Sequence, residues 1–381
     1  MQALILEDVK KFVLRDVARP VPKDNEVLVQ VGAVGICGTD LHIFHGLANY
    51  HRDELGRPIA LTASPQRLGH EFCGRIAAVG SQAKKVKVGD PVVVDQVLNC
   101  HAQGRTRVCE YCASGDSHQC ESGLELGITG LPGAFADYIA VPEASVVPLP
   151  AGMSFMKAAI IEPLGCVAHA CERVDHASAR YTFGGKHPIR HVLIAGAGPS
   201  GLLFLQYLRN VKKFDGEIYV ADIKDARLGL VKKLGGTPLD VRKLDMASEV
   251  LKRTGGERIH YLIEASGSGA VFDWLPWVIR RQATVLVYGG GHAGKDIGCL
   301  TQFQATETTL LTTAGASGGF DADGTPTIYR QAMEYIRDGK IDAESLLTHR
   351  YTNLGDIPRA FSHDVEQENF IKGVLVRPEA G

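Results

Sequence analysis

A strand that has to turn into a helix across three glycines constrains this chain more than any other stretch. Residues 194–202 read Ile-Ala-Gly-Ala-Gly-Pro-Ser-Gly-Leu, with Gly196, Gly198 and Gly201 in the spacing G-x-G-x-x-G. Ahead of them residues 191–195 form a short apolar run of buried-strand type, and behind them Leu202, Leu203, Leu205 and Leu208 supply the apolar side of a helix. Gly196 permits the tight turn, Gly198 lets the backbone approach a pyrophosphate, and Gly201 lets the helix pack close to the strand. The unpaired N–H groups of the helix start then face the anion. A second strand over residues 216–221 runs into Asp222, 21 positions beyond Gly201. There a carboxylate meets a ribose 2′-hydroxyl and repels a 2′-phosphate, which favours NAD over NADP, with Lys224 and Arg227 as countervailing charges. Pro199, Ser200 and Arg227 join the three glycines and Asp222 as candidate cofactor-binding residues.

A chain of 381 residues is too long for one ordinary core, so two domains are expected. Its 41 basic and 43 acidic side chains nearly cancel, which gives no reason to expect nucleic acid or an anionic membrane as partner. No apolar run approaches the length of a membrane span, and the first eight residues lack a signal peptide's basic start and apolar centre. A cytoplasmic enzyme is the expectation. The odd count of nine cysteines, four of them between Cys100 and Cys120, reads as metal ligation in a reducing compartment rather than a disulfide framework. The first hundred residues are strand-rich and barrel-like, with runs at 26–31, 74–79 and 91–94 broken by turn residues. Residues 156–170 are helix-compatible and lead through a long, basic connection at 173–188 to the glycine turn. Further strands at 261–265 and 284–288 alternate with helical stretches, the mark of a doubly wound parallel sheet. The tail over 370–376 is strand-like again and returns to the first module.

Three clusters carry chemistry: Gly35-Ile36-Cys37-Gly38-Thr39-Asp40-Leu41-His42, Leu68-Gly69-His70-Glu71 and Ile161-Glu162-Pro163-Leu164. A thiolate, an imidazole and a carboxylate converging from distant positions make a zinc site, and a catalytic zinc keeps one position open. Taken singly, each residue has a blander reading: Cys37 a small buried hydrophobe, His70 a core histidine, Glu162 a carboxylate at a helix start. In their order, however, these three motifs and the glycine turn resemble the zinc-dependent medium-chain alcohol dehydrogenases, in the branch of sorbitol, threonine and polyol dehydrogenases, and the similarity spans essentially the whole chain. The resemblance implies an α/β protein: a doubly wound Rossmann NAD-binding domain, residues 161–325, inserted into a β-rich GroES-like catalytic domain, residues 1–160 and 326–381. It assigns Cys37, His70 and a glutamate to the catalytic zinc, with Glu71 and Glu162 both candidates. Adjacent residues on a regular strand face opposite ways, so His70 and Glu71 share a metal only where the backbone bends.

By the same resemblance Thr39 takes the proton of an alcohol and His42 passes it toward solvent, while NAD accepts the hydride. The expected substrate is a secondary alcohol of a polyol, cyclitol or sugar, with L-threonine as the nearest rival. A nucleotide-binding protein without turnover is the alternative from another class. The likeness also implies a homo-oligomer, tetramer or dimer, with no nucleic acid or membrane partner. Cys100, Cys109, Cys112 and Cys120 resemble the family's structural zinc lobe. Here the chain departs from the pattern, because eight residues separate Cys100 from Cys109 where the family has a much shorter gap. The extra residues can loop out of a four-cysteine site at little entropic cost. A metal-free lobe and a site in which His101 or His118 replaces a cysteine are the alternatives. The segment 44–67 is also long, and as a polar loop it is a candidate for binding substrate hydroxyls.

Overall fold

The structure is a computed structural model and describes residues 1–292 and 298–378. It divides into two compact units, one made of residues 1–166, 315–339 and 343–381, the other of residues 167–314 and 340–342. The first boundary falls inside a single helix, Ile161–Asp175. A separate short helix, Phe155–Ala158, precedes it, so the helix-compatible stretch from 156 to 170 is two elements rather than one.

In the first unit the strand Glu26–Gly35 is the organiser. It pairs antiparallel with Glu71–Val79, with Tyr138–Pro142 and with the C-terminal strand Lys372–Val376, in the last case setting Val374 opposite Gly35. Pro91–Val94 and Val146–Pro148 extend the sheet on one side and Leu347–Tyr351 on the other. Its apolar side chains, among them Val27, Val29, Val31, Phe72, Ile76 and Leu375, form one buried core. Fully burying a side chain of this size contributes roughly 1.5–3 kcal/mol, enough in sum to hold strands that are distant in sequence. The seven-residue helix Gly38–Phe44 is anchored to this core by its last residue. Phe44 lies 5.2 Å from Phe12 and 5.3 Å from Phe361, ring centroid to ring centroid.

The second unit is a six-stranded, wholly parallel sheet. Its spatial order is Thr237–Asp240, Glu217–Asp222, His191–Ala195, Ile259–Glu264, Ile279–Val287 and Thr309–Thr312. Chain order reverses beside His191–Ala195, and at such a switch point ligands bind outside the carboxyl ends of the strands. The glycine turn lies there, between that strand and the helix Pro199–Gln206. Each glycine has its own reason. Gly196 has φ +102°, and a Cβ there would stand 2.9 Å from the Ser266 backbone. A Cβ on Gly201 would lie 1.8 Å from the Gly196 carbonyl oxygen, whereas one on Gly198 would meet nothing closer than Arg227 at 4.0 Å. Gly201 is thus demanded by the protein itself and Gly198 by whatever approaches from outside. Gly201→Ala is expected to destabilise this unit by about 1–3 kcal/mol, the usual cost of overpacking. Gly198→Ala should leave thermal unfolding unchanged yet weaken NADH binding in a fluorescence titration; equal loss of stability in both variants would contradict this division.

Candidate active site

The strand Glu26–Gly35 delivers the chain into the first cluster. Cys37 then stands as the N-cap of the helix Gly38–Phe44, and Asp40, fully buried in its first turn, accepts the Cys37 backbone N–H at 3.0 Å. Thr39 and His42 are three residues apart on that helix and therefore share a face; both are half-buried. Burial, reinforced by the neighbouring His45, holds the His42 imidazole below its ordinary range. The neutral form of the ring, which has a nitrogen that can accept a proton, is thereby favoured.

The bend that His70 and Glu71 require is present. Gly69 has φ +92°, His70 follows it in irregular backbone, and Glu71 is the first residue of its strand. One sulfur of Cys37, one ring nitrogen of His70 and one carboxylate oxygen of Glu71 all lie within 4.8 Å of one another. His70 Nδ1 stands 3.2 Å from Asp40 Oδ1, which also accepts the Gly69 N–H at 3.2 Å. Asp40 thereby places a buried carboxylate at ion-pair distance from the imidazole. Gly35 makes room for the set, since a Cβ there would lie 2.1 Å from Glu71 Oε2.

The donor set fits zinc. It offers sulfur, nitrogen and oxygen from a thiol, an imidazole and a carboxylate, the donor types of a catalytic zinc site. Burial first, and then the Glu71 carboxylate, push the Cys37 thiol up from its ordinary range, which a divalent cation at the cluster would reverse. Asp40→Asn keeps the shape but weakens the charge behind His70, so zinc affinity is expected to fall about 10–100-fold, as read by competition with a chromophoric chelator. An unchanged affinity would remove Asp40 from this role.

Glu162 is not a member of that set. It is buried in the same unit, where its Oε1 accepts the Gln96 side-chain N–H at 3.1 Å and the Cys166 thiol at 3.2 Å. Burial raises its pKa, with Glu71 adding to the effect and His70 opposing it. Gln96 in turn accepts the Tyr329 hydroxyl at 2.8 Å. Lys372, 2% exposed, was not visible as a site residue in sequence. Its ammonium lies 2.5 Å from Glu71 Oε2 and donates to the Ile36 carbonyl at 3.1 Å. Burial works against its charge, but Glu71 and Cys37 outweigh burial and hold Lys372 above its ordinary value.

The four cysteines of the lobe converge, with sulfurs within 4.8 Å of one another despite the eight-residue gap. Sulfurs around a tetrahedral zinc with bonds of ~2.3 Å stand about 3.8 Å apart. Cys100 and Cys109 lie 3.6 and 4.0 Å from Cys120. Backbone N–H groups of Cys112 and Glu121 bring the Cys109 thiol down to about 6, so that it is a thiolate at neutral pH. All nine cysteines are free of disulfides. His118 is not a fifth candidate here: its Nδ1 accepts the Ala316 N–H at 2.7 Å and its Nε2 lies 3.0 Å from Asp95 Oδ1. The His101 ring instead lies 4.4 Å from that of Phe320, tilted by 53°. The His118–Asp95 contact and the Gln96–Glu162 bond begin at adjacent residues and tie the cysteine lobe to the neighbourhood of Glu162.

At the other candidate site Asp222 ends its strand nearly buried, accepting the Ala197 N–H at 2.6 Å and the Ile223 and Lys224 N–H groups at 2.7 and 2.9 Å. Arg227 Nη1 lies 3.8 Å from Asp222 Oδ2. Pro199 and Ser200 open the helix, with Gly198 as an N-cap that offers no side-chain bond. The open space in front of Gly198 and the free helix start fit a pyrophosphate.

Comparison with known proteins agrees with both halves. Residues 23–151 match the alcohol dehydrogenase GroES-like domain, and residues 199–338 match the zinc-binding dehydrogenase family. The chain is 30% identical to L-galactonate-5-dehydrogenase of Escherichia coli (strain K12) over 378 residues, 98% of each chain. It is 28% identical to sorbitol dehydrogenase of Bacillus subtilis (strain 168) over 385 residues, 99% of this chain and 97% of that one. A crystal structure of an Escherichia coli oxidoreductase/dehydrogenase of unknown specificity, involved in membrane biogenesis, superposes over 99% of both chains with a TM-score of 0.80 and 26% identity.

Proposed function

The chain belongs to the zinc-dependent medium-chain alcohol dehydrogenase family, and from that premise we propose that it oxidises a secondary alcohol of a polyol, cyclitol or sugar to a ketone with NAD as hydride acceptor. The observation that carries this reading is the convergence of Cys37, His70 and Glu71 beside the helix that bears Thr39 and His42. An alcohol is too weak an acid to ionise near neutrality, and a bound zinc supplies the Lewis-acid charge that makes the alkoxide accessible. Cys37, His70 and Glu71 would hold that ion, with Asp40 behind His70. Glu162, bonded to Gln96 and Cys166 and outside the three-residue cluster, is a further candidate carboxylate in the same buried region. Thr39 accepts the alcohol proton, and His42, neutral through burial, takes it onward. Bound NAD would supply the acceptor for the hydride of the same carbon. One alcohol is oxidised and one NAD reduced, with one proton released.

Cys100, Cys109, Cys112 and Cys120 hold a second, structural zinc. Gly196, Gly198, Pro199, Ser200 and Gly201 receive the pyrophosphate, while Asp222 selects the unphosphorylated ribose and Arg227 lies behind it. The segment 44–67 lines the substrate side with polar groups. Its Tyr50 is held above the ordinary phenol range by burial and by the charges of Glu125 and Cys37, which puts it within electrostatic reach of the cluster. The same reading carries a cytoplasmic homotetramer. The test is NAD reduction by zinc-replete protein across polyols, cyclitols, aldoses, sugar acids and L-threonine, with NADP in parallel. Turnover confined to the sugar-derived alcohols supports the proposal. Turnover of threonine alone, or NAD binding without turnover of any member, would overturn it.

A further inference from the structure

The long basic connection after the helix Ile161–Asp175 has no part in the reading above. It brings Arg180 and Tyr181 to the edge of a cavity of about 720 Å³ within the second unit. The rest of the lining comes from residues 256–258, 280–282 and 304–307. These lie at or just before the starts of the parallel strands Ile259–Glu264, Ile279–Val287 and Thr309–Thr312. The cavity is thus at the amino end of the sheet, and the glycine turn is at the carboxyl end, roughly 20 Å away for strands of about six residues. The dinucleotide cannot account for it.

The local backbone is built to present charge. Ile259 faces Ile279, but Tyr261 faces Thr284, so the second strand carries three extra residues in a bulge. Those residues include Arg280, Arg281 and Gln282, and a bulge re-aims side chains away from the ladder. Arg258, Gln282 and Glu307 have φ of +66°, +58° and +51°. Left-handed backbone is uncommon in residues other than glycine, and its concentration at functional sites makes three cases around one cavity informative.

Its electrostatics are one-sided. Arg180, Arg258, Arg280 and Arg281 line the cavity, and among the described residues none of the four pairs with a carboxylate within 4 Å. Three are anchored instead on neutral oxygens: Arg258 on the Trp277 carbonyl, Arg280 on the Tyr181 hydroxyl at 2.9 Å and the Glu257 carbonyl at 2.8 Å, and Arg281 on the Ala305 carbonyl at 3.3 Å. Of the two lining carboxylates, Glu257 is engaged by both Arg190 Nε at 2.9 Å and Nη2 at 2.5 Å, and Glu307 accepts the Gln282 amide at 2.7 Å. A guanidinium has five N–H donors, so each arginine retains several after these bonds. Four positioned arginines with spare donors, against two lining carboxylates, leave a net positive lining suited to oxyanions.

We propose that this cavity binds a small metabolite carrying two or more negative charges, of the phosphate-ester or polycarboxylate class, at a site separate from that of the dinucleotide. The experiment is calorimetric titration of inorganic phosphate, and then of a hexose bisphosphate, into zinc-replete enzyme saturated with NADH at low ionic strength. NADH occupies the glycine turn and removes it as a competing anion site. One saturable site per chain is expected, with affinity at least about tenfold weaker in the Arg258→Asn, Arg281→Gln double variant, while NADH binding and the unfolding temperature stay unchanged. Asparagine is chosen at 258 because it tolerates the left-handed backbone. Heat that never saturates, or binding that the double variant leaves intact, overturns the proposal. So does a double variant that shifts the sedimentation coefficient when neither protein binds anion, because the arginines would then serve a subunit contact.

Discussion

Replacing Cys37 with serine is expected to lower kcat/KM by about 10³-fold or more, since Lewis-acid stabilisation is worth several kcal/mol and each 1.36 kcal/mol is tenfold in rate. A serine hydroxyl stays protonated where a thiolate ligates, so the ligand set loses both its soft donor and one negative charge. The effect is specific in its metal count. Elemental analysis should fall from two zinc ions per chain to one, because Cys100, Cys109, Cys112 and Cys120 form a separate cluster. NADH affinity should stay within experimental error, the glycine turn lying in the other unit. Retention of both zinc ions and of full turnover in Cys37→Ser would remove the cluster from the chemistry.

Lys372→Met should have the largest effect on stability. Lys372 and Glu71 are 2% and 1% exposed, and breaking such a pair from one side leaves an uncompensated buried charge, at a cost of about 3–5 kcal/mol. The loss should be clearest in metal-free protein and smaller with zinc, whose positive charge takes over part of the compensation. Combining Lys372→Met with Glu71→Gln separates charge from packing. If the unpaired carboxylate is the cause, the double variant regains most of the urea midpoint lost by the single one; if the double variant is no more stable, lost packing of the lysine stem is responsible.

The nucleotide-binding half was legible because its signals are local. The apolar strand, the glycine spacing and the acid at the next strand end lie within about thirty residues, each reporting a backbone requirement that few residue types meet. Its strand Thr237–Asp240 escaped notice, being four residues long with a proline in it; it is tolerated because it is an edge strand, where an absent N–H costs no ladder bond. At the candidate active site the residue types could be read, but their partnerships could not. That Glu71 rather than Glu162 groups with Cys37 and His70 goes with the left-handed Gly69 and with the Gln96–Glu162 bond, and neither announces itself in the sequence around the glutamates. His118 was a possible ligand by proximity to the cysteines, yet its ring is committed to Asp95 and to the Ala316 backbone, 198 residues away. Lys372 lies 336 positions from the carbonyl it bonds, and nothing in a strand-like tail distinguishes a buried lysine from a surface one.

The C-terminal strand also sets an order of events during synthesis. Cys37 leaves the ribosome early, and the whole parallel sheet of the second unit is translated before the strand Lys372–Val376 exists. That last strand is the one that pairs with Glu26–Gly35 and supplies the cation beside Glu71. A nascent chain therefore holds the Glu71 carboxylate beside Cys37 and His70 without the ammonium of Lys372 until residue 372 has been made, a state in which capture of a divalent ion is favoured by charge. Translation that stops short of residue 372 would yield a second unit made in full, attached to a first unit whose sheet lacks the strand that pairs with Glu26–Gly35 and whose Glu71 lacks its counter-charge.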